Sequence, residues 1–207
     1  MTRCVIIGGA PITNYNAVKA YINDDDFVIY CDCGLHHQNE LGIAPDLVIG
    51  DFDSYSMPTG GAEVIQLPCE KDDTDTVYAA KEAIRRGYTD FLLIGMVGGT
   101  MDHTLANLSI LLYMNALGKS ALLVDDYSEM EVISSGVSYI DDRFEYFSVL
   151  SPNGTASGIC IEDAKYTLDD GAINIKYQYG VRNEPIAGKI ARVSVKEGCL
   201  LVIKIRK

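Results

Sequence analysis

For its first two thirds the chain repeats one rhythm: a short, unbroken apolar run, then a stretch with helical spacing. The runs cover residues 4–7, 27–31, 46–50, 63–67, 91–97 and 121–124, and are rich in Val, Ile and Leu without alternation. Continuous runs of this kind suit strands covered on both faces, as in a parallel sheet. Helical spacing is read over residues 15–22, 35–41, 75–86 and 103–117. Strands alternating with helices build an open α/β sheet. Beyond residue 128 the rhythm changes to β-rich runs at 130–133, 144–150, 156–161, 172–177, 190–195 and 200–205. Turn signals such as Pro152-Asn153-Gly154, Asp169-Asp170-Gly171 and Glu197-Gly198 separate them. The expected architecture is an α/β N-terminal domain with a mostly parallel open sheet (1–127), followed by a small all-β C-terminal sandwich domain (128–207).

Charge narrows the function. The 207 residues carry a formal net charge of −12. An acidic chain has nothing with which to replace the counterions of a phosphate backbone, so nucleic acid is not an expected partner. Anionic membranes are disfavoured for the same reason, and no apolar run approaches the ~20 residues of a spanning helix. The six cysteines read as free thiols, mostly within apolar runs. Only Cys31-Asp32-Cys33 raises a redox or metal question. The N-terminal run is too short for a signal peptide, and a cytoplasmic location is expected.

In an open α/β sheet, ligands bind beyond the carboxyl ends of the strands. The chemically informative residues fall there repeatedly: Gly8-Gly9-Ala10-Pro11, Asp32-Cys33-Gly34, Asp51-Phe52-Asp53-Ser54, Lys71-Asp72-Asp73-Thr74-Asp75 and Gly98-Gly99-Thr100-Met101-Asp102-His103. Asp51 and Asp53, at i and i+2 of an extended segment, point to one side and can share a hard cation. Thr74 or Asp73 suits a helix N-cap, while Asp72 and Asp75 add carboxylates beyond what capping needs. The amides of Gly98, Gly99 and Thr100, ahead of a helix, suit phosphate. Gly9 would let a phosphate come close. His36 and His37 read as surface residues near a helix start. Gly118-Lys119-Ser120 is no P-loop, because Tyr113 stands where its first glycine belongs and the order of elements is reversed.

Taken together, these motifs resemble the thiamine pyrophosphokinase family. The run Pro45-Asp46-Leu47-Val48-Ile49-Gly50-Asp51-Phe52-Asp53-Ser54, followed by Lys71-Asp72-Asp73-Thr74-Asp75, carries the resemblance, and Asn183-Glu184 matches a further element. The resemblance implies an α/β domain that binds ATP, a β-sandwich that binds thiamine and forms the dimer contact, and a homodimer with sites between subunits. It implies that ATP and thiamine give thiamine diphosphate and AMP, with magnesium as cofactor. Carried over residue by residue, it implies Asp51, Asp53 and Asp75 as metal ligands, with Asp72 and Asp32 completing the acidic shell. Lys71 and the amides of Gly98, Gly99 and Thr100 would steady the polyphosphate. Asp75 or Asp53 would accept the hydroxyl proton. Asp102 and His103 would meet the aminopyrimidine, with Asn183 of the partner subunit. The chain departs from the family pattern at Thr100, where Arg is usual, and at Arg182, where Ser is common. It has no tryptophan to stack on thiamine; Tyr177 or Tyr179 could take that place. Two other classes fit the same residues: a different magnesium-dependent phosphoryl-transfer enzyme or phosphohydrolase, and a non-catalytic sensor of thiamine or nucleotide.

Overall fold

The computed structural model describes residues 3–52 and 61–207, and the chain divides into two compact units, Met1–Asp126 and Tyr127–Lys207. The first unit holds β1 (Cys4–Ile7), β2 (Phe27–Cys31), β3 (Leu47–Gly50), β4 (Glu63–Gln66), β5 (Asp90–Ile94) and β6 (Ser120–Val124). All five pairings among them are parallel, in the order β4-β3-β2-β1-β5-β6. The chain steps outward from β1 to β4 and returns on the other side of β1 at β5. Such a reversal opens a crevice beyond the strand ends.

Burial explains the unbroken apolar runs. β1 and β3 are buried along their whole length, and β2 and β5 after their first residue. α1 (Tyr15–Lys19) and α2 (Gln38–Leu41) bring Val18 and Leu41 to the strand side chains, α3 (Asp75–Arg85) lies against β1, β2 and β3, and α4 (Met101–Ala116) lies against β6. Val5, Ile7, Val28, Tyr30, Val48 and Leu92 centre one core cluster. β4 departs from the expected pattern. It is the outer strand, neither end is buried, and Glu63 turns out to meet Arg86 at 2.6 Å. The expected helix at 35–41 is also different: a 3₁₀ turn, Asp32–His37, leads into the single turn of α2, which Gly42 ends at φ +65°.

In the second unit, β7 (Ser128–Ile133), β13 (Leu200–Arg206) and β9 (Phe144–Leu150) pair antiparallel. β11 (Leu168–Asn174), β10 (Thr155–Glu162), β12 (Ala191–Ser194) and β8 (Val137–Ile140) form a four-stranded antiparallel sheet in that order. Phe144, Phe147 and Val202 from the first set share a core with Ile159, Ile173 and Val193 from the second, so the unit is a sandwich. Two local readings are corrected. Val137–Ile140 is a strand with alternating burial, too short to stand out in the sequence. Asp169-Asp170-Gly171 does not reverse the chain but lies inside β11, where Asp170 at φ +52° accompanies register shifts against β10. Among the described residues, no helix is long and apolar enough to cross a membrane.

Candidate active site

A cleft of about 400 Å³ opens in the first unit beyond the ends of β1, β2 and β5. Close backbone approach marks the strand ends from which it opens. A Cβ on Gly8 would come 2.6 Å from the Gly95 carbonyl oxygen, and one on Gly50 would come 2.8 Å from Asp32 Cβ. These glycines let adjacent strand ends pack together, a role separate from phosphate approach. Gly9, Ala10 and Pro11 form one wall; Gly98, Gly99 and Thr100 form another.

The acidic centre gathers carboxylates from three elements. Asp32 opens the 3₁₀ turn at φ +28°, Asp51 follows β3, and Asp75 begins α3. Each offers an oxygen within 4.8 Å of the others. Thr74 caps α3, its hydroxyl accepting from the Val77 amide at 3.3 Å, which sets Asp75 in the first turn. Lys71 reaches in from the loop: its ammonium pairs with Asp51 and lies 3.1 Å from Asp75 Oδ1. Burial alone would lower the Lys71 pKa, but the hydrogen bonds to Asp51 and Asp75 outweigh it and raise it. Burial raises the Asp75 carboxyl above its ordinary value, against the opposing pull of Lys71, and the charges of Asp51 and Asp32 add to the rise.

The centre has the chemistry of a divalent-cation site. Asp32 is 6% exposed, and its Oδ1 is buried with no hydrogen-bond partner among the described residues. Its Oδ2 accepts from the Cys33 thiol at 3.2 Å. A buried carboxylate oxygen left without a partner is costly. With all three carboxylates ionised, one ammonium leaves two negative charges over. An all-oxygen donor set with that charge fits a hard dication such as Mg²⁺.

Other anticipated residues fall into place unevenly. Asp53 lies outside the described residues. Asp72 is exposed and apart from the three carboxylates, and Asp73 pairs with Lys81 at 2.6 Å. Gly98 and Gly99 hold φ values of +114° and +68°, which only glycine adopts without strain. The Gly98 amide donates to Thr104 Oγ1 at 3.1 Å. His103 lines the cleft; Asp102 is exposed, its carboxyl lowered by the Thr100 hydroxyl and the His103 amide. Arg182 and Asn183 belong to the second unit. There Arg182 stacks over Tyr146, 4.0 Å from Cζ to ring centroid, and Asn183 is buried. Asn183 Oδ1 accepts from the Tyr166 and Glu184 amides, and its Nδ2 donates to the Tyr166 carbonyl at 2.7 Å.

The sequence pattern did not single out Asn107 as a cleft residue, and it misplaced His37. Asn107 is buried on α4, its Nδ2 donating to the Met96 carbonyl at 2.9 Å while its Oδ1 accepts from the Thr76 hydroxyl at 2.8 Å. Its position one helical turn beyond His103 is the signal that could have found it. His37 is 1% exposed, not a surface residue. Burial, with His36 close by, pushes its pKa down to about 4. Among the cysteines, Cys31 is buried and Cys33 exposed, and burial holds the Cys31 thiol far above its ordinary pKa, an inert state.

Comparison with known proteins identifies the family. Residues 18–123, half of the chain, match the family model described as thiamin pyrophosphokinase, catalytic domain. The thiamine pyrophosphokinase of Bacillus subtilis is 23% identical over 207 residues, covering 96% of each chain. The crystal structure of a thiamine pyrophosphokinase from Bacillus subtilis superposes with a TM-score of 0.88 at 23% identity, covering 100% of both chains. One from Geobacillus thermodenitrificans gives 0.83 at 25% identity, covering 100% of this chain and 98% of that one. With that catalytic-domain match over half of its length, the chain belongs to the thiamin pyrophosphokinase family and is an enzyme.

Proposed function

We propose that the enzyme transfers the pyrophosphoryl group of ATP to the hydroxyl of thiamine, giving thiamine diphosphate and AMP in a magnesium-dependent reaction. The observation that carries this reading is the convergence of Asp32, Asp51 and Asp75, with the buried, unpartnered Oδ1 of Asp32, beside glycine-rich turns. The thiamine hydroxyl oxygen would bond to the β-phosphorus while the bond from that phosphorus to the α–β bridging oxygen breaks, so that AMP leaves. Asp51 and Asp75 would hold the magnesium, with Asp32 beside them; Asp53 is the fourth carboxylate that the motif offers. When bound, the ion supplies neutralising charge to the phosphate oxygens.

The chain's own groups do the rest. Lys71, already among the carboxylates, can turn its ammonium to the polyphosphate. The Gly99 and Thr100 amides and the positive end of α4 would face the same anionic ligand, and the Gly98 amide would have to leave Thr104 to join them. Asp75 or Asp53 would accept the hydroxyl proton. Asp72 and Asp102 would act from the rim, and His103 from the cleft wall. Tyr177 and Tyr179, with ring centroids 5.6 Å apart and both exposed, offer an aromatic surface for the rings of thiamine. Two copies of the chain would complete the thiamine site, with Arg182 and Asn183 contributed by the sandwich, and the enzyme would work in the cytoplasm.

Incubation with ATP, magnesium and thiamine tests the reading. Thiamine diphosphate and AMP should form in equal amounts. Release of ADP or inorganic phosphate instead, or no turnover, would overturn it.

A further inference from the structure

The cleft wall formed by Gly9, Ala10 and Pro11 is an irregular loop, and three fasteners hold the segment. The Ala10 amide donates to the Gly95 carbonyl at 2.9 Å, which ties the loop to the end of β5. Asp126 accepts from the Thr13 and Asn14 amides at 2.8 and 2.9 Å, which fixes the far end. The third fastener is His37, whose Nε2 lies 3.0 Å from the Ala10 carbonyl oxygen. On the other side of the ring, Nδ1 lies 2.8 Å from the Tyr15 hydroxyl.

These contacts assign the proton. A carbonyl can only accept, so Nε2 must carry the hydrogen, and Nδ1 of a neutral ring must then accept from Tyr15. Tyr15 meets the ring edge-on, with centroids 5.7 Å apart, and His36 covers it at 3.7 Å. Both nitrogens are used, and the ring has one orientation that satisfies them.

His37 also ends the 3₁₀ turn that Asp32 begins. That short turn touches the Gly9–Pro11 loop twice. At its start, Cys33 packs so near Gly9 that a Cβ there would come 2.7 Å from Cys33 Cβ. At its end stands the directional bond from His37. The same segment therefore carries a carboxylate of the acidic centre and the pin of the adjoining wall.

We infer that His37 is a positioning residue for the reaction: its Nε2–H, oriented by the Tyr15 hydroxyl, holds the Gly9–Pro11 wall at a fixed distance from the Asp32 carboxylate and so sets the fit of the nucleotide. This rests on the functional reading above. His37 itself does not line the cleft, so loss of the bond should weaken substrate binding more than chemistry.

Three variants test it in the full chain. His37→Phe keeps the ring volume and removes both polar contacts; it should raise KM for ATP about fivefold or more while kcat stays within about threefold. His37→Gln can restore a donor near Nε2 and should recover most of the loss. Tyr15→Phe leaves the imidazole but removes the group that orients it, and should give an intermediate KM. Nitrogen-15 NMR of the wild-type imidazole should show the Nε2-protonated tautomer. The inference is overturned if His37→Phe lowers Tm without moving KM, if Gln loses as much as Phe, or if Nδ1 carries the proton. Should His37→Phe not fold, Tyr15→Phe and the tautomer still decide. Calorimetric ATP binding to the same variants separates this inference from the functional reading. Absent turnover in the wild type would refute the reaction, whereas ATP affinity that ignores His37→Gln and Tyr15→Phe alike would refute the positioning role.

Discussion

Acid should loosen the first unit through one side chain. His37 is buried, accepts from Tyr15 at Nδ1 and donates to Ala10 at Nε2, so a second ring proton would meet a hydroxyl already donating to that site. Burial is the chief cause of its depressed pKa, His36 adds to it, and the Ala10 carbonyl and the Asp126 carboxylate oppose it. The folded value is about 4, against 6.5 for an unperturbed histidine. Between those values the unfolded chain binds more protons than the folded one, so stability is full above about pH 6.5 and falls as pH drops towards 4. At about pH 5 the loss is ~2 kcal/mol, and it levels off near ~3 kcal/mol below the folded pKa. The assay is urea unfolding of wild type and His37→Gln from about pH 8 to about pH 5, followed by a probe of the first unit. His37→Gln starts less stable, because a new side chain must fill the site, but its curve should be flatter across this window. The difference between the two proteins should therefore shrink on acidification by ~2 kcal/mol. Parallel curves would refute a neutral, doubly hydrogen-bonded imidazole.

Asp51→Asn and Asp75→Asn should each lower kcat by about 10²-fold or more, as steady-state kinetics will show, and near-normal turnover in both would remove the proposed metal site. Gly50→Ala should push back the Asp32 turn, because its Cβ meets Asp32 Cβ at 2.8 Å and the Asp32 nitrogen at 3.2 Å; a destabilisation of about 1–3 kcal/mol with weakened Mn²⁺ binding is expected, read by melting and by calorimetry. Cys31→Ser combined with Cys33→Ser should keep turnover within a small factor, since the buried Cys31 thiol is held far above its ordinary pKa; activity lost from a folded double variant would point to redox chemistry.

Much of the fold was legible because burial writes directly into residue type. Cys4–Ile7 and Phe27–Cys31 are strands over the same residues that their apolar runs mark, since a strand covered on both faces tolerates no polar interruption. Thr74 was legible as a helix cap because capping is local chemistry. Legibility failed where the deciding partner is remote. Asp169-Asp170-Gly171 has turn composition, yet pairing with β10 draws it into a strand as a bulge. His37, set among polar neighbours, reads as exposed, and only the approach of Ala10 and Tyr15 makes it a buried residue. Asn107 looks like an ordinary helix position until Met96 and Thr76 close on it.

By itself the sequence determined which chemical groups stand at the strand ends. Parallel strands send every carboxyl end to one edge, so carboxylates and glycines written after successive apolar runs must meet there in some order. It also determined where the acidity lies, for residues 32–75 carry a net charge of −9. Only the tertiary structure decided that Asp32, Asp51 and Asp75 bring oxygens within 4.8 Å of one another, that Lys71 sits among them, and that Asp72 does not. That convergence depends on the pairing of β2 with β3 and on the close packing of Gly50 against Asp32. Both arise from contacts between residues far apart in the chain, and no local propensity encodes them.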